Sequence, residues 1–502
     1  MKGIVRHIAF FLTALLALCG MSACIHKEGK PGGEEPESDP QALFVLHISP
    51  VNTRADASTD RVAEKIQSLR VIAISKDDEE GKNSVIEINR KVTFDNVVAV
   101  EEFGYSLTWR TRAGKKDFYI FANEESVGSI QFTEGTVLPE DLKDITPTLT
   151  QLLDCYPAAF DADLKDTLKP EGTTAKETED KTTSGENASS AQSRAANFKA
   201  VINAVYFAPT YEIQENEGKR TVYLPYTTFY GNVNVEEKEK QEDDVNRTAD
   251  DSPYPMFLVP VATKFTFHFT NYRSNPVEIN EITVDKIHSD NFLLAHVGST
   301  EEHKDFDGTT LWWVDWLAKV SEASHNPGYS DNASFNERYG WIADYALPAH
   351  AQSKPHSFVQ QEETSGAPPY TVARKDETSA EPGKCSLGPF YLPESRNEVT
   401  YDTTVKDENG QDITQKVTEQ IWYLTLRLHD TTSLPGADPL FDKVPISNLK
   451  ALFRNTSVII DITLREGDVE IYAEIHDWNE KFANGWVTGG EDSAPLPDDP
   501  AN

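Results

Sequence analysis

The sequence predicts an all-β protein built from stacked antiparallel sheets. Apolar and polar residues alternate with a period of two in four segments, 265–269, 422–428, 458–464 and 469–475. Side chains of a strand point alternately to the two faces of its sheet, so each segment is typical of a half-buried strand. Helical patterns are few, and strands do not alternate with helices as they do in a parallel α/β fold.

Turn and helix patterns are consistent with this fold class. Asn409-Gly410, between Val405 and Val417, predicts a hairpin turn. A short helix is predicted at 310–321, with Trp312, Trp313 and Trp316 available for packing or for stacking on a sugar. Another helix is predicted within 139–154, although Pro147 interrupts it. Its apolar face would contain Leu142, Ile145, Leu149, Leu152 and Leu153.

The N-terminus has the features of an export signal. Lys2 and Arg6 precede an apolar stretch at 8–18, which is too short to span a bilayer. Met21-Ser22-Ala23-Cys24 follows, and small residues before a cysteine resemble a lipobox. We therefore expect lipid attachment at Cys24 and display at the outer membrane; the alternative is an ordinary cleaved signal peptide.

The charge of the chain restricts its partners. The formal net charge is −35, and the first 54 residues contain five basic and five acidic residues, so the rest of the chain keeps all of it. Such a charge opposes binding to nucleic acid and to anionic membranes. It suits a well-solvated surface protein.

The length of the chain suits two to four domains. Changes in composition along the chain mark the segments. The boundary between the two main domains is placed at the acidic run 236–252. The segments are a signal peptide at 1–24, a tether with a cleavable first strand at 25–54, an N-terminal β-sandwich at 55–255 with a mobile low-complexity insert at 164–195, a C-terminal β-sandwich at 256–488, and an acidic disordered tail at 489–502.

The first strand after the tether is apolar on both faces, which is typical of a strand buried in a sandwich. A polar stretch with Arg54 and Ala55 follows it, and cutting between these two residues would remove both the strand and the lipid. The remaining groove would be open to a strand from another copy. An ordinary first strand followed by an uncut loop explains the same pattern. The apolar residues of this strand are Leu43, Phe44, Val45, Leu46 and Ile48.

A strand that another copy could donate is expected near the C-terminus. One candidate is the segment near Trp486. The other is the alternating strand with Val469, Ile471, Ala473 and Ile475 on one face.

Five motifs follow one another along the chain: 66–74 (IQSLRVIAI), 117–124 (DFYIFANE), 260–265 (PVATKF), 390–394 (FYLPE) and 454–456 (RNT). Their order and spacing, together with the lipobox and Arg54, resemble the fimbrillin family of Gram-negative fimbrial subunits. The resemblance implies two transthyretin-like β-sandwich domains, export as a lipoprotein, cleavage by an Arg-specific surface protease, and polymerisation with other pilin subunits through C-terminal donor strands. The long insert and the chain beyond Trp478 depart from the family pattern.

Patterns for catalysis, cofactors and metals are weak. No nucleophile elbow, zinc-protease motif or phosphate loop occurs in the sequence, so no enzyme activity and no cofactor are predicted. The histidines lack zinc-ligand spacing, and the segment 407–412 suits a hairpin turn better than a calcium loop. Cys155 and Cys385 allow one disulfide or none.

Two classes of function remain. The chain is either a structural pilus subunit or a lipid-anchored surface protein, such as a tip adhesin, that binds a glycan or protein and does not polymerise. The mature N-terminus distinguishes them, since it is Ala55 in the first case and lipidated Cys24 in the second.

Overall fold

The computed structural model describes residues 41–50, 64–76, 84–99, 105–159, 164–168, 175–177, 188–210, 223–235, 245–246, 254–294, 352–360, 370–374, 381–406, 410–430, 440–446, 449, 451–452 and 454–477. The signal peptide with Cys24, the cleavage residues Arg54 and Ala55, the helix predicted at 310–321 and the tail at 489–502 lie outside these residues.

The described chain consists mainly of strands. In chain order the strands are β1 Gln41–Pro50, β2 Lys65–Lys76, β3 Val85–Ala99, β4 Tyr105–Arg112, β5 Gly114–Ala122, β6 Ile130–Phe132, β7 Leu164–Leu168, β8 Ala175–Glu177, β9 Val205–Phe207, β10 Tyr226–Val235, β11 Val245–Asn246, β12 Tyr254–Pro260, β13 Thr263–Asn271, β14 Val277–His288, β15 Asn291–Phe292, β16 Ser353–Gln360, β17 Tyr370–Val372, β18 Gly383–Leu392, β19 Ser395–Arg396, β20 Glu398–Lys406, β21 Asp412–Gln420, β22 Trp422–Asp430, β23 Leu440–Ile446, β24 Ala451–Leu452, β25 Thr456–Arg465 and β26 Asp468–Asp477. The helices are α1 Leu149–Asp154 and α2 Ala188–Ile202, and short 3-10 turns lie at Glu124–Ser126 and Glu140–Leu142. Neither described α-helix is long and apolar enough to cross a membrane.

The predicted all-β sandwich fold is confirmed. The first part of the chain forms one continuous sheet with the strand order β7-β4-β1-β12-β10-β5-β2-β3-β8. The first residues of β12 pair with β1 and its last two with β10, so β12 joins the two halves of the sheet. Ile48 of β1 lies in the same apolar core as Val71 of β2 and Ile120 of β5. The two halves of the sheet therefore enclose one core.

The second face of β2 and β5 is covered by the helical segments. Ile72 and Ile74 of β2 pack with Leu152 of α1 and with Phe198 of α2. Because β2 is buried on both faces, its sequence is a nearly continuous apolar run and does not alternate.

The second sandwich packs the sheet β18-β13-β25-β26 against the sheet β16-β14-β22-β23, with β17 paired to β14. The alternation predicted for β13 and β22 is confirmed, since Phe265, Phe267 and Phe269 and the apolar residues of 422–428 are fully buried in one core. One feature differs from a purely antiparallel sandwich: β13 and β25 run parallel over nine residue pairs.

The division between the sandwiches can be placed from the strand pairing. β12 belongs to the first sheet, and its Met256 and Leu258 lie in the first core. β13, which begins at Thr263, belongs to the second core. We propose a domain boundary at 261–262, a few residues after the boundary at 255–256 expected from composition.

The helix predicted within 139–154 is only partly present. The chain forms a 3-10 turn at Glu140–Leu142 and then α1, and Ile145 between them is exposed. Pro147 cannot donate a backbone hydrogen bond, and Thr148 starts α1 with a capping box to Gln151. The expected helix is therefore present only after the interruption at Pro147.

The prediction of a mobile excursion over 164–195 was also wrong in part. β7 pairs with β4, β8 pairs with β3, and the first half of α2 falls within this range. Ala195 is fully buried and packs with Phe198 and Ile202. Alanine favours helix formation but gives no strong apolar pattern, so the composition concealed this helix.

The two cysteines of the sandwiches are not bonded to each other. Cys155 and Cys385 are both free and partly buried, and burial raises the pKa of each thiol. The sequence had left this pairing open.

A buried ion pair holds the turn after β5 against β2. Arg70 Nε lies 2.7 Å from Glu124 Oε2, and Lys91 Nζ lies 2.9 Å from Glu124 Oε1. The side chains of Arg70 and Glu124 are almost completely buried. Burial alone would raise the pKa of the Glu124 carboxyl, but the hydrogen bond and charge of Arg70, then those of Lys91, lower it below its usual value.

Replacing Glu124 with Gln should destabilise the protein by about 3 kcal/mol at pH 7, because Arg70 would lose its buried charge partner and keep only the exposed carboxylate of Asp154, 2.8 Å from its Nη2. A carboxyl with a lowered pKa in the folded state stabilises that state above its unfolded pKa and loses this effect as the pH falls. The difference between wild type and variant should therefore shrink below pH 4.5, the ordinary value for this group. Urea unfolding at several pH values measures it.

Glu140→Gln is the matched control. Glu140 also forms an ion pair, with Lys143, but its side chain is 85% exposed, so the same change should have little effect. Equal losses for the two variants would contradict the role given to burial.

Candidate functional site: the first strand and its groove

β1, which contains the predicted removable strand, lies in the interior of the first sheet. It runs antiparallel to β4 over eight residue pairs, from Gln41↔Arg112 to Ile48↔Tyr105. On its other side it runs parallel to β12 over five pairs, from Leu46↔Tyr254 to Pro50↔Leu258, and to β11 over two. Both hydrogen-bonding edges of β1 are therefore occupied.

No neighbour of β1 in the sheet is its neighbour in the chain. After Pro50 the chain continues to β2, which lies beyond β12, β10 and β5 in the strand order. A cut in the connector 51–64 would break no hairpin. After such a cut, only hydrogen bonds and packing would hold β1.

Ile48 is the residue of β1 whose side-chain environment is described. It is fully buried, lies opposite Met256 of β12 and shares a core with Leu69 and Phe118. Burying an isoleucine of this kind contributes about 1.5–3 kcal/mol. Leu43, Phe44, Val45 and Leu46 occupy successive positions along the same strand, and their side chains lie outside the described set.

Removing β1 would leave a groove between β4 and β12. The groove would expose one hydrogen-bonding edge of each strand and the apolar side chains of Met256 and Leu258, which are now fully buried. An edge of this kind readily accepts another strand. The groove thus has the chemistry of a strand-binding site.

The carboxylate of Glu64, which the sequence analysis did not identify, binds the chain after the predicted cleavage position to the second sandwich. Glu64 Oε1 lies 2.9 Å from Lys264 Nζ and accepts a hydrogen bond from Tyr391 Oη, also at 2.9 Å. Glu64 and Lys264 are both buried. These contacts join the start of β2 to strands of the second sandwich. The sequence contained one indication of this contact, which is that Lys264 lies in the otherwise largely apolar start of β13.

A second buried pair unites two of the quoted motifs. Arg454 Nη2 lies 2.6 Å from Glu394 Oε2, with both side chains buried. Arg454 also donates to the backbone oxygens of Phe292 and Leu293. The motifs at 390–394 and 454–456 are therefore parts of one structural cluster.

The candidate donor strand lies in the second sandwich and, among the described strands, pairs with neither β4 nor β12, which would border the groove. β26 pairs only with β25 among the described strands, so it is an edge strand. Ile471 and Ala473 point into the second core, Val469 packs beside it, and the side chain of Ile475 lies outside the described residues. Donating β26 would require withdrawing Ile471 and Ala473 from this core. The segment near Trp486 lies outside the described chain.

A separate cavity of about 690 Å³ opens between β14, β16 and β18. Its lining includes His288, Lys354, His356, Phe358 and Phe390. None of the described lining residues is acidic, although the chain as a whole is strongly acidic. Within the described chain, no group of three or more His, Cys, Asp or Glu residues is arranged to hold a metal ion.

Ile48→Ala should destabilise the uncleaved precursor by about 2–5 kcal/mol, because it opens a cavity in the core that β1 closes. Ile413→Ala, at a position 46% exposed, is the matched control and should change stability by less than about 0.5 kcal/mol. Urea unfolding of both variants measures the difference. Similar stability of the two variants would show that β1 does not close this core.

No family model and no curated protein matches the chain. Among solved structures, it is similar to the tip fimbrial protein Mfa3 from Porphyromonas gingivalis, with 11% identity, a TM-score of 0.34, and coverage of 88% of this chain and 100% of that one. A protein from Parabacteroides distasonis, provisionally described as a cell adhesion protein, gives 9% identity, a TM-score of 0.36, and coverage of 88% and 97%. A protein from Bacteroides eggerthii with a similar description gives 9% identity, a TM-score of 0.31, and coverage of 88% of this chain and 97% of that one.

Proposed function

We propose that this chain is a structural subunit of cell-surface fimbriae. It is exported as a lipoprotein on Cys24, cleaved after Arg54 by an Arg-specific surface protease, and polymerised by donor-strand exchange in a filament that supports adhesion. The observation that carries the proposal is the position of β1, an interior strand whose sheet partners are all distant in the chain.

The position of β1 supports a role for cleavage. In the uncut chain the groove is filled intramolecularly, so the precursor is expected to be a stable monomer. A cut after Arg54 would turn β1 into a separate peptide that also carries the lipid. Its loss would leave an apolar groove with two open strand edges, which favours β-augmentation by another copy.

The contacts of Glu64 support an ordered acceptor after cleavage. Because Lys264 and Tyr391 hold Glu64, the start of β2 stays attached to the second sandwich when the connector is cut. The remaining strands can then keep the groove in shape. A head-to-tail contact between groove and donor does not close on itself, so it extends into a filament.

The donor is expected near the C-terminus, in β26 or in the segment around Trp486. β26 already contributes Ile471 and Ala473 to its own core, so its donation would cost that packing. This favours the chain after Asp477 as the donor.

The second candidate function is a lipid-anchored surface protein that binds a glycan or protein and does not polymerise. The cavity near Lys354, with aromatic and basic side chains in its wall, favours this alternative. In that case Cys24 would remain the N-terminus on the cell.

Replacing both arginines of the connector, Arg54→Ala together with Arg61→Ala, should leave the protein monomeric after treatment with an Arg-specific protease, because β1 would stay linked to the chain. Arg61→Ala alone is the matched control, since that variant should still be cut after Arg54 and form filaments. N-terminal sequencing, size-exclusion chromatography and electron microscopy follow the outcome. Filaments from the protein that lacks both arginines, or none from cleaved wild type, would exclude the donor-strand proposal and favour the surface-binding alternative.

A chain ending at Asp477 tests which segment is donated. It retains β26 and its core contacts but lacks the residues after it. We expect the cleaved, truncated chain to form no filaments with itself, yet to accept a donor from a full-length copy. Self-assembly of the truncated chain would instead identify β26 as the donor.

A further inference from the structure

β20 and β21 form a long hairpin that stands apart from both sandwiches in the strand pairing. They pair with each other over nine residue pairs, from Glu398↔Gln420 to Lys406↔Asp412, and with no other described strand. At about 3.4 Å per residue, the ribbon is about 30 Å long. Both outer edges of the hairpin are therefore open within the described chain.

The end of the hairpin is exposed to solvent. On β21 and the turn before it, six consecutive residues, 411–416, are exposed, and Ile413 among them is 46% exposed. On β20, Thr403 and Val405 are partly buried. A two-stranded ribbon is only marginally stable alone, and an open edge can pair with another strand. The outer edge of β21 is the more accessible one.

The two strands share a charge pattern, Asp-x-Thr-x-Lys, at Asp402–Lys406 and Asp412–Lys416. In the hairpin this pattern pairs antiparallel with itself. Asp402 lies opposite Lys416, Thr404 opposite Thr414, and Lys406 opposite Asp412. Lys406 Nζ lies 3.3 Å from Asp412 Oδ1. Cross-strand pairs of opposite charge stabilise a sheet, whereas like charges in these positions destabilise it.

We propose that the outer edge of β21 pairs antiparallel with β21 of a second copy of this chain, about a two-fold axis at Thr414. In that register Asp412 of each copy lies opposite Lys416 of the other. The contact repeats the register between β20 and β21 and makes a four-stranded sheet from two hairpins. It is isologous, so it joins two copies and closes.

The charges along the edge of β21 favour a second copy of the chain as its partner. Elsewhere two chains with a net charge of −35 repel each other, so a contact between copies needs a surface without excess charge. The segment 411–416 has no net charge, and its single acid and single base fall opposite each other only in antiparallel self-pairing about Thr414. The same edge offers no excess of either charge to a strongly basic or acidic partner.

This contact goes beyond the proposed fimbrial function and does not depend on it. It requires neither cleavage at Arg54 nor a donor strand. If the chain also polymerises head to tail, the hairpin contact would join filaments side by side.

Two double variants test the register. The first is Lys406→Asp with Asp412→Lys, and the second is Asp402→Lys with Lys416→Asp. Each keeps the net charge, and each keeps opposite charges across the hairpin, so neither should disturb its folding. In the first variant β21 has two lysines in the paired positions, and in the second it has two aspartates. Each variant alone should therefore repel its own copy, while a mixture should pair.

The experiment uses the uncleaved precursor with Cys24→Ser, so that neither lipid nor donor-strand exchange contributes. Sedimentation equilibrium at about 0.15 M salt, which screens the long-range repulsion between the chains more than direct charge pairs, should show wild-type dimers, dimerisation weakened at least about tenfold in each variant alone, and heterodimers restored in the mixture. Far-ultraviolet circular dichroism and thermal melting confirm that the variants fold. A monomeric wild type, dimers as tight in either variant alone as in wild type, or a mixture that does not associate would each overturn the proposal. Any of these results would leave the fimbrial function untouched, since filament formation is measured on cleaved protein.

Discussion

The first sandwich depends on the insertion of β1 between β4 and β12. Both partners come from distant parts of the chain, so β1 is covalently joined to its sheet only through the connector to β2. The strand is thus essential to the core and yet separable by one cut. An ordinary hairpin strand would remain beside its partner after cleavage. Under the proposed function, this topology would let one protein be a stable precursor and then an acceptor for another strand.

Buried ion pairs keep the rest of the fold in place around β1. Glu64 joins the start of β2 to Lys264 in the second sandwich, and Arg454 joins Glu394 to the backbone near Leu293. Pairs of this kind are costly to desolvate, and breaking one leaves a buried charge without compensation. They therefore favour one arrangement of strands over alternatives. Both pairs join residues that lie outside β1.

Much of the fold followed from local patterns, and the rest required long-range information. Alternation identified β13, β22 and β26, and apolarity on both faces identified β1 as a buried strand. The partners of β1 could not be predicted, because pairing between remote strands leaves no local pattern. The buried role of Lys264 was missed since a lysine in an alternating strand normally faces water. The helix α2 was hidden because alanine, serine and glutamine give it little amphipathic contrast.

Hydrogen exchange of the groove measures whether β1 is the strand that another copy replaces. Peptides covering β4 and β12 would be followed in the uncleaved precursor, in cleaved protein from which the fragment containing β1 has been removed, and in assembled filaments. We expect protected amides in the precursor, faster exchange once β1 has left, and protection restored on assembly. Amides of β4 and β12 that stay equally protected in all three states would contradict it, since β1 would then not be the strand that another copy replaces.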